Sequence, residues 1–184
     1  MENWRELFDE VYHQPPPATN EEVAALLGAL AQPLSDAELE ETVRSQRNPF
    51  SPGDDLFSRW APFDPRSWSF FSVALPGAYE SLLRWSNGPS VRTGSREFGF
   101  FGSLELREYL LAYNFPEYMP GAIPIGLDGG GVFAAFDTRG GLQNDEYPIL
   151  ATAAGNLGFE DATLISVAFK SFCTGRTAIG SLGT

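Results

Sequence analysis

The sequence predicts an α+β fold, in which a central, mainly antiparallel sheet is flanked by helices and preceded by a helix-rich N-terminal extension. Helical patterns are concentrated in the N-terminal half of the chain, and short apolar runs typical of strands in the C-terminal half. Residues 120–137 place two apolar runs on either side of Asp128-Gly129-Gly130-Gly131, the pattern of a β-hairpin with a Gly-rich turn. The 184 residues suffice for one domain with a sizeable core.

Three regions are predicted along the chain. Residues 1–70 form a helical N-terminal extension packed on the domain, and residues 71–174 form the α+β domain itself. Residues 175–184 contain little that could be buried, which predicts a flexible, frayed tail.

Three helices are predicted before residue 47. Residues 2–12 carry apolar side chains at helical spacing, namely Trp4, Leu7, Phe8, Val11 and Tyr12. Thr19 with Glu22, and Ser35 with Glu38, match the capping-box pattern, so helices are expected over 20–31 and from 36 to about 46. The proline run at 15–17 acts as a stiff spacer between the first two.

Residues 48–67 are predicted to be irregular, because four prolines and a glycine exclude long regular elements. The segment is nevertheless rich in large apolar side chains: Phe50, Leu56, Phe57, Trp60 and Phe63. Packing of these side chains on the domain surface is the favoured interpretation. The alternative is a partner-binding arm, because exposed aromatic residues can anchor an interface.

The rest of the chain alternates between short strands and helices. In order, the predicted elements are a strand or lead-in over 69–74, a helix from Leu75-Pro76 to Asn87-Gly88-Pro89, a polar loop over 90–96, a strand over 98–101, a helix over 103–114, a loop over 115–120, the hairpin, a polar turn over 138–146, a strand over 147–151, a loop over 155–161, a short strand or helix start over 164–167, and a final helix over 167–173.

The hairpin is placed in the middle of the sheet, because the run from Val132 to Phe136 lacks alternation and suits a strand buried on both faces. Its glycines do not fit any of three common ligand loops. No Lys-Ser or Lys-Thr follows as in a phosphate loop, no helix follows as in a dinucleotide fingerprint, and the spaced oxygen ligands of an EF-hand are missing. A structural turn is therefore predicted.

The sequence offers few candidates for catalysis. His13 lacks nearby partners, Cys173 is interpreted as a buried, inert thiol, and no catalytic, metal-ligand or cofactor motif is found. Paired carboxylates could act as acid and base, but the acidic residues of the C-terminal half lie mostly in predicted turns, where capping is favoured. These residues are Asp128, Asp137, Asp145, Glu146, Glu160 and Asp161, of which Asp137 follows a buried strand and is the most interesting.

The net charge of −12 argues against nucleic acid as a partner, because an acidic domain repels phosphate backbones. Residues 1–60 hold 12 acidic and 4 basic groups, so the N-terminal third is the more acidic part. The charge predicts either simple solubility or faster association with a basic protein. No run reaches the roughly 18 apolar residues of a membrane helix. An acidic N-terminus and a single cysteine predict a cytoplasmic protein.

Four segments in a fixed order resemble the cell-wall-assembly-regulator family of the SUKH superfamily, in its bacterial form. The family pattern is LPxxYxxLLxxxNG, then IGxDGGGxxxxxD, then YPV or YPI, then a short helix xxFxxF that here reads ISVAFKSF. The matching positions of the first three segments are Leu75, Pro76, Tyr79, Leu82, Leu83, Asn87, Gly88, Ile125, Gly126, Asp128, Gly129, Gly130, Gly131, Asp137, Tyr147 and Pro148. The resemblance covers about residues 75–172, and the roughly seventy residues before it depart from the compact family pattern.

The resemblance implies an α+β domain with a central sheet and flanking helices, structural motif residues and no known catalytic centre. No cofactor or metal is expected. It implies an immunity protein, which would bind and neutralise a toxin domain. The acidic charge of this chain favours a basic toxin. A scaffold or regulator of cell-wall assembly is the alternative, by analogy with the yeast member. An enzyme that uses carboxylates such as Asp128 and Asp137 is a minor alternative.

Overall fold

Seven strands form one antiparallel sheet, and their order across the sheet follows their order along the chain. The computed structural model of the protein describes residues 3–181. The strands are β1 Glu10–His13, β2 Ser90–Thr93, β3 Arg96–Phe100, β4 Ala122–Leu127, β5 Val132–Asp137, β6 Ile149–Ala153 and β7 Thr163–Ser166.

Helices flank the sheet, so the predicted α+β class is confirmed. They are α1 Trp4–Leu7, α2 Asn20–Ala31, α3 Asp36–Ser45, α4 Gly77–Trp85, α5 Glu105–Ala112, α6 Phe115–Tyr118 and α7 Phe169–Cys173, with 3-10 turns at Phe57–Arg59, Pro65–Ser67 and Ile179–Ser181. Within residues 3–181, every helix is too short or too polar to cross a lipid bilayer.

The hairpin β4–β5 lies in the middle of the sheet, as predicted, because β3 pairs with β4 and β6 with β5. Phe133 to Phe136 are all buried, so β5 is covered on both faces. On one face, Phe136 packs edge-on against Tyr79 of α4, with ring centroids 5.4 Å apart. We call this the α4 face.

The opposite face is covered by α5 and α6, and we call it the α5 face. Phe133 of β5 packs edge-on against Phe115 of α6 and against Tyr113, which follows α5, with ring centroids 5.3 and 4.7 Å apart. Phe101, which follows β3, stacks on Tyr109 of α5 at 4.0 Å. The core therefore has two aromatic layers, one on each side of β5.

The prediction of one helix over residues 2–12 is wrong. Residues 4–7 are helical, but Glu10–His13 form the edge strand β1, which pairs with β2 through Val11 and Val91. Trp4 and Phe8 are buried, while Tyr12 stays 56% exposed. The helical spacing of apolar residues did not decide the conformation here. Pairing with a distant strand provides hydrogen bonds for the backbone N–H and C=O groups just as a helix would. Glu2 lies outside the described residues.

The polar loop predicted over residues 90–96 is also wrong, since Ser90–Thr93 form β2. Its alternation of half-buried and buried residues is the pattern of a strand with one solvated face. Residues 115–118, expected in a loop, form the short helix α6, which begins after Asn114 in the left-handed conformation at φ 55°.

The helices predicted from capping boxes are confirmed. The hydroxyls of Thr19 and Ser35 accept hydrogen bonds from the backbone N–H groups of Glu22 and Glu38, respectively. The carboxylates of these two glutamates accept hydrogen bonds from the backbone N–H groups of Thr19 and Ser35 in return. Arg107 of α5 joins both helices to the domain, because its guanidinium donates to the carbonyls of Ala29 and Gln32 and pairs with Glu38.

The segment over residues 48–67 is irregular, with two 3-10 turns. Part of it is packed on the domain: Phe63 stacks on Trp68 at 5.6 Å and meets Tyr118 edge-on at 6.2 Å. Leu56 and Phe57 remain about 40% exposed. Packing on the domain therefore holds for part of the segment, and a partner-binding role of the exposed side chains stays a prediction.

The described part of the predicted flexible tail, residues 175–181, is docked. The buried guanidinium of Arg96 donates to the carbonyl of Thr177 at 2.9 Å, and the backbone N–H of Ser95 donates to the carbonyl of Arg176 at 2.8 Å. Ile179 is buried. Apolar content alone suggested fraying, but this segment is held mainly through its own carbonyl groups. Residues 182–184 lie outside the described residues.

Candidate binding surface

The residues of the first motif hold α4 on the sheet. Leu75, Tyr79, Leu82 and Leu83 are buried, and the Tyr79 hydroxyl donates to the carbonyl of Phe101 at 3.0 Å. After the helix, the Asn87 side chain donates to the Ser103 hydroxyl and accepts from the Ser103 backbone N–H. These residues build the fold and fix the start of α5.

The Gly-rich turn is closed by Asp128. One carboxylate oxygen of this residue accepts hydrogen bonds from the N–H groups of Gly130 and Val132 at 2.8 and 2.9 Å. Gly129 and Gly131 have φ of 75° and 91°, a conformation that side chains other than hydrogen disfavour. The turn is therefore organised by its own side chain and backbone.

Several other candidate carboxylates also serve local structure. Asp145 accepts from the N–H of Gly77 at the start of α4, Glu146 accepts from the N–H of Phe169 at the start of α7, and Asp161 accepts from the side chain of Asn156. Asp137 pairs with Arg139 at 2.8 Å. The hydrogen bond from this arginine lowers the pKa of the Asp137 carboxyl. Across residues 3–181, no three His, Cys, Asp or Glu side chains are grouped as metal ligands.

His13 and Cys173 line different cavities. Cys173 is buried beside Arg96 and Phe172, and burial raises the pKa of its thiol well above the ordinary value. His13 is exposed at the end of β1. The described residues thus give Cys173 the environment of an unreactive core thiol.

One part of the sheet is left open on the α5 face. Opposite partners across neighbouring strands share a face, and the row Ser90, Gly99, Leu127, Phe133 and Thr152 crosses β2 to β6. Phe133 lies under α5 and α6, but Ser90 and Gly99 line an open groove of about 600 Å³. The groove is bounded on one side by Tyr12, His13 and Pro15, on the other by residues 101–105 and Tyr109, and at its end by Leu127 to Gly129. We call it the acidic groove.

Carboxylates dominate the charge of the acidic groove. Glu97, Glu105 and Asp128 line it, and among the described residues that line it none is a lysine or an arginine. Glu97 accepts a hydrogen bond from the Tyr12 hydroxyl at 3.2 Å, and Glu105 accepts one from the N–H of Gly102 at 2.8 Å. Each carboxylate is thus held in place at the groove surface.

Arg92 lies beside the acidic groove but is already paired. Its guanidinium contacts the carboxylate of Glu10 at 2.6 Å and donates to the Tyr12 hydroxyl at 3.0 Å. The hydrogen bond from Arg92 lowers the pKa of Glu10, while partial burial raises that of Tyr12. The arginine fixes Tyr12 against Glu97, and so stiffens one wall of the groove.

A second concave surface lies between the 48–63 segment and the end of α5. This surface encloses about 830 Å³, and we call it the aromatic groove. Five aromatic rings line it, namely Phe50, Trp60, Phe63, Tyr113 and Tyr118. The aromatic segment is visible in the sequence but the groove is not, since its other wall comes from residues about fifty or more positions away.

The acidic groove was not predicted from the sequence. Its β2 side was predicted as a loop, and its β1 side as a helix. The one signal in the sequence is the alternation of Glu97 and Gly99 with Phe98 and Phe100, which marks a strand with one open face.

A family model described as SMI1 / KNR4 family (SUKH-1) matches residues 69–174. The match spans more than half of the chain, so this protein belongs to the SMI1 / KNR4 family (SUKH-1) of the SUKH superfamily. It includes β2 to β7, while α1, β1, α2 and α3 precede it. No curated protein matches the chain significantly.

Proposed function

We propose that this member of the SMI1 / KNR4 family (SUKH-1) is a non-enzymatic protein-binding domain, and that it acts in the cytoplasm as an immunity protein against a bacterial toxin. The observation that carries the proposal is the open, acidic part of the α5 face. A sheet face that the chain's own helices leave uncovered is a common place for a partner to bind. The resemblance to bacterial immunity proteins supplies the kind of partner.

The hydrogen bonds of the candidate carboxylates also favour binding over catalysis. The candidate carboxylates Asp128, Asp145 and Glu146 accept hydrogen bonds from three separate backbone segments. A general acid and base need two groups that face one substrate with separated pKa values. The described residues offer capping interactions instead.

The test is a growth-rescue assay with the polypeptide encoded immediately upstream of this gene. We expect that polypeptide to arrest growth when expressed alone, and co-expression of this protein to restore growth. Calorimetry on the purified pair should then give one-to-one binding with a Kd on the order of nanomolar.

The control is a toxin domain of similar net charge from an unrelated gene pair. Binding of both toxins with equal affinity would point to unspecific attraction by the acidic chain. If the neighbouring polypeptide is harmless and does not bind, the proposal fails.

A scaffold or regulator of cell-wall assembly is the second candidate, and the aromatic groove favours it. Two separate concave surfaces on one small protein suit a molecule that holds several partners. This function predicts several weak complexes, which simultaneous capture of two different partners on one molecule would reveal.

A further inference from the structure

We propose that the acidic groove is the partner-binding site of this protein, and that it accepts an arginine- or lysine-bearing segment of the partner. The inference deepens the proposed function and rests on it for the identity of the partner. The residues of the groove itself determine which chemical group it can accept.

The shape of the groove comes from Gly99 at its floor. A Cβ atom built on Gly99 would lie 3.6 Å from the Ser90 hydroxyl and 3.8 Å from the carbonyl of Leu127, which is ordinary van der Waals contact. The backbone therefore does not require glycine at this position. Glycine leaves a depression between β2 and β4 that a side chain from outside can enter.

The contrast with Gly126, on the opposite face, supports this argument. A Cβ atom on Gly126 would overlap the Phe98 ring and the carbonyl of Gly99, so packing requires glycine there. Gly99 has no such internal reason, which leaves the space above it available for a ligand.

The charge of the groove selects a basic occupant. Glu97, Glu105 and Asp128 stand around the depression, and each is held by a hydrogen bond within the protein. Carboxylates that are fixed before binding lose little further freedom when a cation arrives. A second copy of this chain is a poor occupant, because two molecules of net charge −12 repel each other.

Apolar and aromatic side chains supply the remaining contact area. Leu104 is 80% exposed at the start of α5, and Tyr12 is 56% exposed on the opposite wall. A guanidinium can stack on a tyrosine ring while it pairs with a neighbouring carboxylate. Tyr12 beside Glu97 offers that combination, which favours arginine within the basic segment.

The experiment titrates the isotopically labelled full chain with a nona-arginine peptide and follows the backbone amide signals by NMR. We expect saturable shifts concentrated at Tyr12, Gly99 and Leu104. In the variant Gly99→Trp, which fills the depression, affinity for the peptide should fall by about 100-fold. The matched control Gly140→Trp lies in the turn after β5, at the other end of that strand, and should bind within about threefold of the unchanged protein.

A second variant guards against misfolding of Gly99→Trp. Glu97→Gln with Glu105→Gln keeps size and polarity, and should weaken peptide binding by about tenfold or more. Shifts spread evenly over the surface, or unchanged affinity in either groove variant that circular dichroism shows to be folded, would overturn the proposal. This readout does not involve the toxin, so a failed growth rescue would reject the proposed function without being confused with a failure of the groove.

Discussion

Arg96 has an unusual environment for an arginine. Its side chain lies in β3 on the buried α4 face and is 7% exposed, yet its described hydrogen-bond partners are carbonyl groups rather than a carboxylate. It donates to the carbonyl of Phe172 at 2.7 Å and lies 5.1 Å from the centroid of the Phe172 ring. Burial lowers the pKa of this guanidinium. Carbonyl groups near the end of α7 partly compensate the positive charge, since they carry partial negative charge.

The variant Arg96→Met tests whether this guanidinium holds the C-terminal segment. The change removes hydrogen bonds to Phe172 and Thr177, and leaves their carbonyl groups without these donors. We expect the free energy of unfolding to fall by about 2–3 kcal/mol in urea titrations. Amide exchange over residues 175–181 should become faster as well.

The control for that variant is Arg66→Met, whose side chain is 69% exposed beside Asp64. An exposed ion pair of this kind contributes less than about 1 kcal/mol, so stability should hardly change. Equal stability of the Arg96 and Arg66 variants would show that the buried guanidinium is not needed to anchor the segment.

The role of a single residue could be predicted when its partners are close to it in the sequence. The capping role of Asp128 followed from its position before three glycines, because the amides that it binds lie two and four residues away. The role of Arg96 could not be predicted, since its partners are about 80 positions away along the chain. The open space above Gly99 could not be predicted for the same reason, since the residues around it come from distant parts of the chain.

Among the elements, α5 connects the N-terminal helices to the sheet. Arg107 provides polar contacts for this connection, because its guanidinium binds carbonyl groups at the end of α2 and the carboxylate of Glu38 at the start of α3. The Glu38 carboxylate also closes the capping box of α3. Hydrogen bonds from Arg107 lower the pKa of Glu38 from 4.5 to about 2.

The lowered pKa predicts how this link depends on pH. A carboxylate with a lower pKa in the folded state stabilises the protein above its unfolded pKa of about 4.5, and this contribution is lost as pH falls toward 2. The variant Glu38→Gln should therefore be less stable than the unchanged protein by about 2 kcal/mol at pH 7. The difference should shrink steadily between pH 5 and pH 2. We expect less than the full shift implies, since the Glu38 side chain retains 30% exposure.

Chemical unfolding at several pH values measures that difference. Glutamine can still close the capping box, so the comparison isolates the pair with Arg107. The exposed Glu40 of the same helix provides the control, and Glu40→Gln should differ little from the unchanged protein at any pH. A stability difference for Glu38→Gln that stays constant down to pH 2 would contradict the assigned pKa.

Helices and strands could be predicted when the interactions that stabilise them join residues close together in the sequence. The helices α2 and α3 were predicted because a capping box is complete within four residues. The hairpin β4–β5 was predicted because its turn is short. The strand β1 was mistaken for part of a helix, since its partner β2 follows almost eighty residues later. The acidic groove depends on that pairing, and it was missed with it.

For the whole molecule, the hydrophobic core extends beyond the residues that match the family. The match begins at residue 69, but buried side chains from the preceding segment belong to the same hydrophobic cluster as the sheet. Trp4 meets Phe169 of α7 edge-on with ring centroids 5.9 Å apart, and Leu26 of α2 is 2% exposed. We infer that the N-terminal extension and the family domain unfold together.

Two matched leucines test this inference by calorimetry of the full chain. Leu26 lies in α2 of the extension and Leu82 in α4 of the family domain, and both are buried. Replacement of either residue by alanine should cost about 2–5 kcal/mol and lower Tm by roughly 2–4 °C for each kcal/mol. Each variant should still unfold in a single transition whose calorimetric and van't Hoff enthalpies agree.

Separate unfolding would give a different pattern in the same experiment. The Leu26→Ala variant would then develop an early transition with a small enthalpy, while the main transition kept the Tm of the unchanged protein. Because β1 forms one wall of the acidic groove, an early transition that includes β1 would also mean that the groove can be lost while the family domain remains folded. A single shifted transition would mean that the groove unfolds only together with the core, so that the site is already formed when a partner arrives.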